Sequence, residues 1–395
     1  MTVRIYKDAI NLREKLAELD KPTGIAGEAM LRAETPQEQF NLIGAGRRNM
    51  IINGAQNVSQ RGTSVSISTS ANTFLTDRFF SRIQGSAGTA TASQVSDAPV
   101  GFTSSLKITV GTADTSLGST DYNRIHQDIE GYNTIGTGWG TDSGVPVTLS
   151  FWVKSSIAGT YSIAVYNSDA DRSIVKEYTV DSASTWEYKT LTIPPNDGTW
   201  EFDNGYGIRV TFSLGAGSTY NCAEANLEQW TSNFDFSSPN NVNIMATSGA
   251  TFQITGVQLE LGKVATPFEH RSYGEELALC QRYFWQITGN TSDQTTFGNG
   301  YSEDSDSVQV SLFFPVEMRD APSTTVGTGV GEASVQIVGY GVAADASLDS
   351  ILDPSRLSVR CRFNADSGTP FTAGHAIVGR LVGSTSAYIW VDAEL

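Results

Sequence analysis

Beyond residue 50, apolar and polar residues alternate with a period of two, and this alternation constrains the fold more than any other feature. Successive side chains of a strand point to opposite faces, so each alternating run predicts a strand with one buried face. Gly, Asn, Asp and Ser flank the runs, as is typical of turns. The clearest runs are 106–110, 147–153, 161–165, 208–214 and 252–254. They predict antiparallel strands in a β-sandwich of about 220 residues, without helical crossovers.

One glycine interrupts the alternation. In residues 252–261 the apolar phase flips at Gly256, after which Val257, Leu259 and Leu261 continue the apolar face. An isolated glycine at a phase flip predicts a β-bulge. The abundance of Gly (38 residues) and the low charged fraction (17%) agree with a turn-rich, mainly β protein.

The first 46 residues have helical character instead. Apolar residues at steps of three and four between 5 and 19 form one helical stripe, and a capping pattern at 35–38 begins a second helix. Because a four-turn helix is marginal alone, we expect this segment to attach the chain to another protein or to identical copies. The expected attachment and oligomerisation residues are Ile5, Leu12, Leu16, Leu19, Phe40, Leu42 and Ile43.

The charge distribution also separates this segment from the rest. The chain has a net charge of −16, yet its first fifty residues hold eight basic and seven acidic side chains. The net acidity therefore lies downstream, where it disfavours binding to nucleic acid. No run of about 18 apolar residues is present, so we expect no membrane insertion.

Helical character returns at 272–284, where Leu277, Cys280 and Phe284 share a face. Further strands follow, including 308–314 and 387–395, and the last of these must be paired because an exposed edge aggregates. We therefore expect four parts: an N-terminal helical anchor (1–46), a sandwich (47–271), a helical connector (272–285) and a C-terminal β tip domain (286–395).

The cysteines and histidines indicate neither a metal centre nor a catalytic centre. Cys222, Cys280 and Cys361 are far apart and odd in number, which fits reduced thiols of a protein folded in a cytoplasm. Cys361 alternates with arginines and is expected to be a small buried hydrophobe. His126 and His270 lie outside any hydrolase or metalloprotease motif. We expect no catalytic residues, no metal and no cofactor, and hence a protein that is not an enzyme.

Two acidic groups could in principle serve a glycosidase or a calcium ion. Asp169 and Asp171 form one group, and Glu303, Asp304 and Asp306 form the other. Neither completes a calcium-binding loop, and both are expected to be solvated turns. Aromatic residues in Gly- and Ser-rich loops are better candidates, because sugars stack on flat rings. The expected ligand-binding residues are Trp139, Trp200, Tyr220 and Trp230.

Several segments resemble parts of bacteriophage fibre proteins. Residues 33–46 (AETPQEQFNLIGAG) resemble a helical segment of these proteins, and residues 48–63 resemble the opening strand of their jelly-roll domain. Residues 74–79 resemble the turn that follows. Later strands (148–154 and 254–269), the closing helix (275–283) and the tip (314–322 and 388–395) complete the resemblance. The motifs occur in the order typical of a virion appendage.

The resemblance implies a tail fibre or a head or neck fibre, assembled as a homotrimer in the host bacterial cytoplasm and located on the virion. It implies attachment to capsid, neck or tail through the N-terminal segment, and a jelly roll similar to carbohydrate-binding modules that adheres to a host-surface glycan. Two alternatives stay open: a depolymerase of host glycans, and a capsid decoration protein without a receptor role.

Overall fold

The structure is a computed structural model that describes residues 47–67, 72–289, 294–322, 327–329, 335–382 and 388–395. The expected N-terminal helices and all seven expected attachment residues lie outside these ranges. The described part is mainly β, as predicted. It comprises a β-sandwich, one α-helix, a three-stranded sheet and a closed barrel. None of its helices has the length and apolarity that a membrane crossing requires.

The sandwich contains the first strands in chain order. These are β1 (Ser64–Ile67), β2 (Thr73–Phe74), β3 (Phe80–Gln84), β4 (Ala90–Val95), β5 (Ser105–Val110), β6 (Tyr122–Glu130), β7 (Val147–Ser155), β8 (Gly159–Asn167), β9 (Ser173–Val180), β10 (Glu187–Ile193), β11 (Tyr206–Ala216), β12 (Trp230–Thr231) and β13 (Thr251–Leu261). Sheet A has the order β1-β4-β5-β13-β7-β10, and sheet B has the order β12-β9-β8-β11-β6-β3-β2.

The core lies between the two sheets. Leu149, Phe151 and Val153 of β7 point inward and are fully buried, as are Ile163 and Val165 of β8. The predicted alternation is therefore confirmed, because the intervening residues point to the outer faces. Burying each such side chain stabilises the fold by about 1.5–3 kcal/mol.

The bulge in β13 is also confirmed. Pairing between β13 and β7 shifts register between Thr255 and Gln258, and Gly256 has a φ of 61°. A Cβ atom at Gly256 would lie 2.7 Å from the ring of Phe102. Glycine is therefore needed here both for the left-handed backbone and for the close approach of an aromatic ring.

The opening segment differs from the expectation. Residues 48–63 form turns and irregular backbone, and the first strand begins at Ser64. The side chains of Asn49 and Asn53 explain this irregular backbone, because they form hydrogen bonds with backbone groups both within this segment and outside it. The Asn49 amide donates to Val257 O at 3.1 Å, and the Asn53 amide donates to Val58 O at 2.8 Å and Asp77 O at 2.9 Å. Such side-chain bonds compete with a strand ladder.

The predicted connector helix is present but shorter. Helix α1 (Tyr273–Gln281) begins with a capping box between Ser272 and Glu275. Phe284 does not continue the helix, since it opens β14 (Phe284–Thr288). Cys280 packs with Ile52, Val58 and Tyr283 in a cluster that joins the helix to the sandwich.

The C-terminal unit contains the remaining strands. These are β15 (Thr295–Ser302), β16 (Ser307–Phe313), β17 (Gly327–Gly329), β18 (Val335–Gly339), β19 (Val342–Leu352), β20 (Ser358–Ala365), β21 (Ala376–Leu381) and β22 (Tyr388–Asp392). The order β15-β16-β20-β19-β18-β21 closes a barrel, and β14-β22-β17 form a separate sheet. The final strand is therefore paired, as predicted. Cys361 is buried in this unit as predicted, and burial raises the pKa of its thiol to about 12.

Charged side chains link this unit to the sandwich. Arg78, which is 2% exposed, forms an ion pair with Glu394, and its guanidinium lies 3.5 Å from the centre of the Tyr283 ring. Arg61 bonds Asp392 at 3.1 Å and Glu394 at 3.3 Å. We call Arg78, Arg61 and Glu394 the latch.

Candidate functional site: an aromatic groove on sheet A

The outer face of sheet A presents two large aromatic side chains side by side. Trp152 of β7 and Tyr188 of β10 are directly opposite in the strand register, and their ring centres are 5.4 Å apart. Tyr188 is 44% exposed and Trp152 is half-buried. The pair forms an apolar floor that is open to solvent.

Two loops build a wall beside this floor. Phe102, which precedes β5, and Phe268 and His270, which follow β13, form a ring cluster with centre distances of 4.9–5.3 Å. The groove between wall and floor has a volume of about 440 Å³. Gly256 lies at its base, so the bulge in β13 makes room for Phe102 there.

Polar groups occupy the next row of the same face. Lys154 lies two residues beyond Trp152, and its Nζ donates to Asp97 at 2.8 Å. Trp186 Nε1 and Gln253 Nε2 also donate to Asp97, at 3.2 and 3.3 Å. These bonds, that of Lys154 foremost, lower the pKa of Asp97. The face therefore combines flat apolar rings with an ionised carboxylate and an ammonium group.

Three of the four expected ligand-binding residues come together elsewhere. Trp139, Trp200 and Trp230 pack edge to face at one end of the sandwich, with ring centres 4.7–5.6 Å apart. Trp139 is fully buried, Trp200 is 7% exposed and Trp230 is half-buried. This geometry favours packing for Trp139 and Trp200, and the ligand-binding role of the set stays a prediction.

The fourth residue is separate from the other three. Tyr220 lies over the outer face of sheet B, where its ring contacts Tyr122, Phe234 and Phe236. It is half-buried within a small aromatic cluster. The structure thus does not gather the four expected residues into one site.

Sequence reasoning missed Trp152 and Tyr188, although a signal was present. In the run 147–153 the inward positions are apolar, and Trp152 occupies an outward position where a polar residue is expected. Tyr188 likewise lies at an exposed position of β10. A single exposed aromatic residue is ordinary, but two of them side by side on paired strands form a contiguous apolar patch of the kind that marks binding surfaces.

The acidic groups lie in turns of two different units. Asp171 accepts a bond from the Asn167 amide at 2.7 Å in the β8–β9 turn. Asp304 accepts from the backbone of Asp306 and Ser307 in the β15–β16 turn, and its bond with Ser307 lowers the pKa of its carboxyl. Across the ranges that the structure describes, no three His, Cys, Asp or Glu side chains are grouped as metal ligands.

His126 is buried on the outer face of sheet B. It is 1% exposed, packs against Phe80, and neither ring nitrogen has a hydrogen-bond partner among the described residues. Burial, followed by the charges of Arg124, Arg209 and Arg82, lowers the pKa of His126 well below 6.5. The imidazole is therefore neutral at pH 7.

A pH dependence of stability follows from His126. Its folded-state pKa lies below its unfolded-state pKa, so its contribution is complete above about pH 6.5 and is lost as the pH falls. Between about pH 7.5 and 5.5 the free energy of unfolding should fall further in the wild type than in His126→Gln, by at most about 1.4 kcal/mol. Urea unfolding at both pH values measures this difference. An equal change in the free energy of unfolding between the two pH values in both proteins would contradict the prediction.

Comparisons with known proteins give structural likenesses only. No protein-family model matches the chain, and no curated protein matches it. Among solved structures, the enzymatically active domain of bacteriophage CBA120 tailspike protein 4 is 15% identical with a TM-score of 0.29. That match covers 54% of this chain and 21% of the tailspike structure, so this chain spans about a fifth of its length.

Carbohydrate-binding modules are also among the similar structures. The CBM22-1 xylan-binding domain of Paenibacillus barcinonensis Xyn10C is 10% identical with a TM-score of 0.26, covering 56% of this chain and 100% of that domain. The CBM22-1–CBM22-2 tandem of the same protein is 10% identical with a TM-score of 0.28, covering 89% of this chain and 98% of the tandem. At these identities and TM-scores the likenesses assign no function to this chain.

Proposed function

We propose that this chain is a structural fibre or appendage protein of a bacteriophage virion that adheres to a host-surface glycan through the aromatic groove of sheet A. The observation that carries the binding proposal is the exposed pairing of Trp152 and Tyr188. Residues 1–46 are the proposed attachment to capsid, neck or tail proteins.

The groove has the chemistry that a sugar requires. The C–H faces of a pyranose ring stack on Trp152 and Tyr188, and its hydroxyl groups bond Asp97 and Lys154 in the adjacent row. Both strands belong to a hydrogen-bonded sheet, so the rings are held in place before a ligand binds. Such preorganisation lowers the entropic cost of binding.

The appendage proposal rests on the order of the fibre-like motifs along the sequence. In a homotrimer, three grooves would bind one polysaccharide surface together, and this multivalency would convert weak single contacts into useful avidity. Native mass spectrometry of the full chain tests the assembly. A trimer at micromolar concentration supports the proposal, and a stable monomer contradicts it.

Binding to an immobilised panel of bacterial surface polysaccharides tests the groove. We expect Trp152→Ala and Tyr188→Ala each to weaken binding about tenfold or more, because each removes a stacking face. Trp230→Ala is the matched control, since it removes a half-buried tryptophan from the other candidate cluster. Loss of binding in Trp230→Ala with retention in Trp152→Ala would overturn the assignment of the groove.

We also propose that binding occurs without turnover. Each acidic group lies on one exposed turn, whereas glycoside hydrolysis needs two carboxylates that flank the scissile bond and lie about 5–10 Å apart. Incubation of bound polysaccharides with the full chain, followed by a reducing-end assay, measures turnover. Cleavage of the polysaccharide by the wild type, abolished in Asp304→Asn, would instead establish a depolymerase.

A further inference from the structure

Basic side chains gather on the outer face of sheet B, on the opposite side of the sandwich from the groove. Arg82 of β3 and Arg124 of β6 are directly opposite in the strand register. His126 follows Arg124 by two residues on β6. Arg209 of β11 pairs with Asp128, which is the next residue of β6 on the same face. This concentration of positive charge is unexpected in a chain of net charge −16.

Among the residues that the structure describes, Arg209 is the one arginine of the three that has a carboxylate partner on this face. Its guanidinium forms a bidentate ion pair with Asp128. Arg82 Nη2 donates to Gln84 Oε1 at 3.0 Å, and Arg124 Nη1 donates to the Tyr166 hydroxyl at 2.9 Å. Neither Arg82 nor Arg124 makes an ion pair with any residue that the structure describes.

Both arginines also keep a buried donor without an acceptor. The Nε atoms of Arg82 and Arg124 are buried and have no hydrogen-bond partner in the described part of the chain. Like charges directly opposite on paired strands are destabilising, and so is a buried guanidinium without a counter-charge. An anion bound on the outer face of the sheet, against both guanidinium groups, would remove both penalties.

The surroundings enclose Arg124 between aromatic rings and leave Arg82 accessible to solvent. Arg124 is 4% exposed, and its guanidinium lies 4.8 Å from the ring centres of both Tyr122 and Phe236. Arg82 is half-buried and reaches the surface. Beside the pair, the ring nitrogens of His126 have no hydrogen-bond partner in the part of the chain that the structure describes.

From this geometry we propose that Arg82 and Arg124 form a binding site for an oxyanion, namely a carboxylate or phosphate group. Arginine suits this role because its planar fork matches both groups. The site is independent of the aromatic groove, since it lies on the other sheet and uses charge rather than stacking.

Isothermal titration calorimetry of the full chain at low salt, with sodium glucuronate, inorganic phosphate and glucose as probes, tests the site. We expect one of the two anions to bind, glucose not to bind here, and Arg82→Gln to weaken anion binding about tenfold. Lys263→Gln is the matched control, because it removes one exposed positive charge from a loop of the same domain. Trp152→Ala should leave anion binding unchanged, which separates this site from the groove.

The outcomes divide clearly. Binding of glucuronate alone indicates that the site takes a carboxylate, and binding of phosphate alone indicates that it takes a phosphate group. Either result supports the site if Arg82→Gln weakens the binding of that anion and Lys263→Gln does not. The absence of binding by both anions overturns the proposal. Equal loss of affinity in Arg82→Gln and Lys263→Gln also overturns it, because such a result indicates attraction by net charge alone.

Discussion

Replacing Glu394 with alanine is expected to lower the free energy of unfolding by about 3–5 kcal/mol, the usual cost of removing one partner of a buried ion pair. Its partner Arg78 is 2% exposed and would keep a buried charge against the Tyr283 ring without its ion-pair partner. Urea unfolding, followed by intrinsic fluorescence, measures the loss. Urea is preferable to guanidinium chloride here because it does not screen charges.

An exposed ion pair in the same chain provides the control. Arg356 and Glu317 lie 3.1 Å apart and are 45% and 53% exposed. Since exposed pairs contribute at most about 1 kcal/mol, Glu317→Ala should change stability little. Equal effects of Glu394→Ala and Glu317→Ala would contradict the latch as a major source of stability.

Trp139→Ala is the second substitution with a large expected effect, again about 3–5 kcal/mol of lost stability. Trp139 has no exposed surface, contacts Trp200 and Trp230, and donates from its Nε1 to Val145 O at 2.7 Å. Its removal leaves a cavity at the end of the core and two neighbouring rings without a packing partner. The unfolding midpoint in urea reports the loss.

Trp230 separates packing from ligand contact in this cluster. Because Trp230 is half-buried, Trp230→Ala should cost no more than about 2 kcal/mol. For Trp139 itself, the polysaccharide affinity of the folded Trp139→Ala protein, measured at low temperature, should equal that of the wild type. If Trp139→Ala instead lost affinity without losing stability, Trp139 would be a ligand contact.

The strands of this protein were predictable because their pattern is local. The inward positions of β7 from Val147 to Val153 are apolar, as are those of β13 on both sides of Gly256, where a single phase flip was sufficient to indicate the bulge. The helix end was less predictable. Phe284 fits the helical spacing from Leu277 and Cys280, but it belongs to a strand that pairs with β22 more than a hundred residues later.

The candidate site was harder to predict, because its parts are distant in sequence. Phe102, Trp152, Tyr188 and Phe268 come from four separate segments, and only the sheet order places them around one groove. The sequence pattern favours tryptophans in glycine-rich loops over a tryptophan within a strand as residues accessible to a ligand. Trp139 shows why this expectation fails, since a loop that folds over the end of a sandwich buries its own aromatic residues.

The latch also has a consequence for the order of events during synthesis. Arg78 and Glu394 are separated by 316 positions, so a ribosome must add most of the chain before the arginine meets its counter-charge. Until then, a sandwich that has already collapsed carries an uncompensated cation at its surface next to the site where Tyr283 will pack. We therefore expect the sandwich to reach its full stability only after the C-terminal unit has been synthesised and has packed against it.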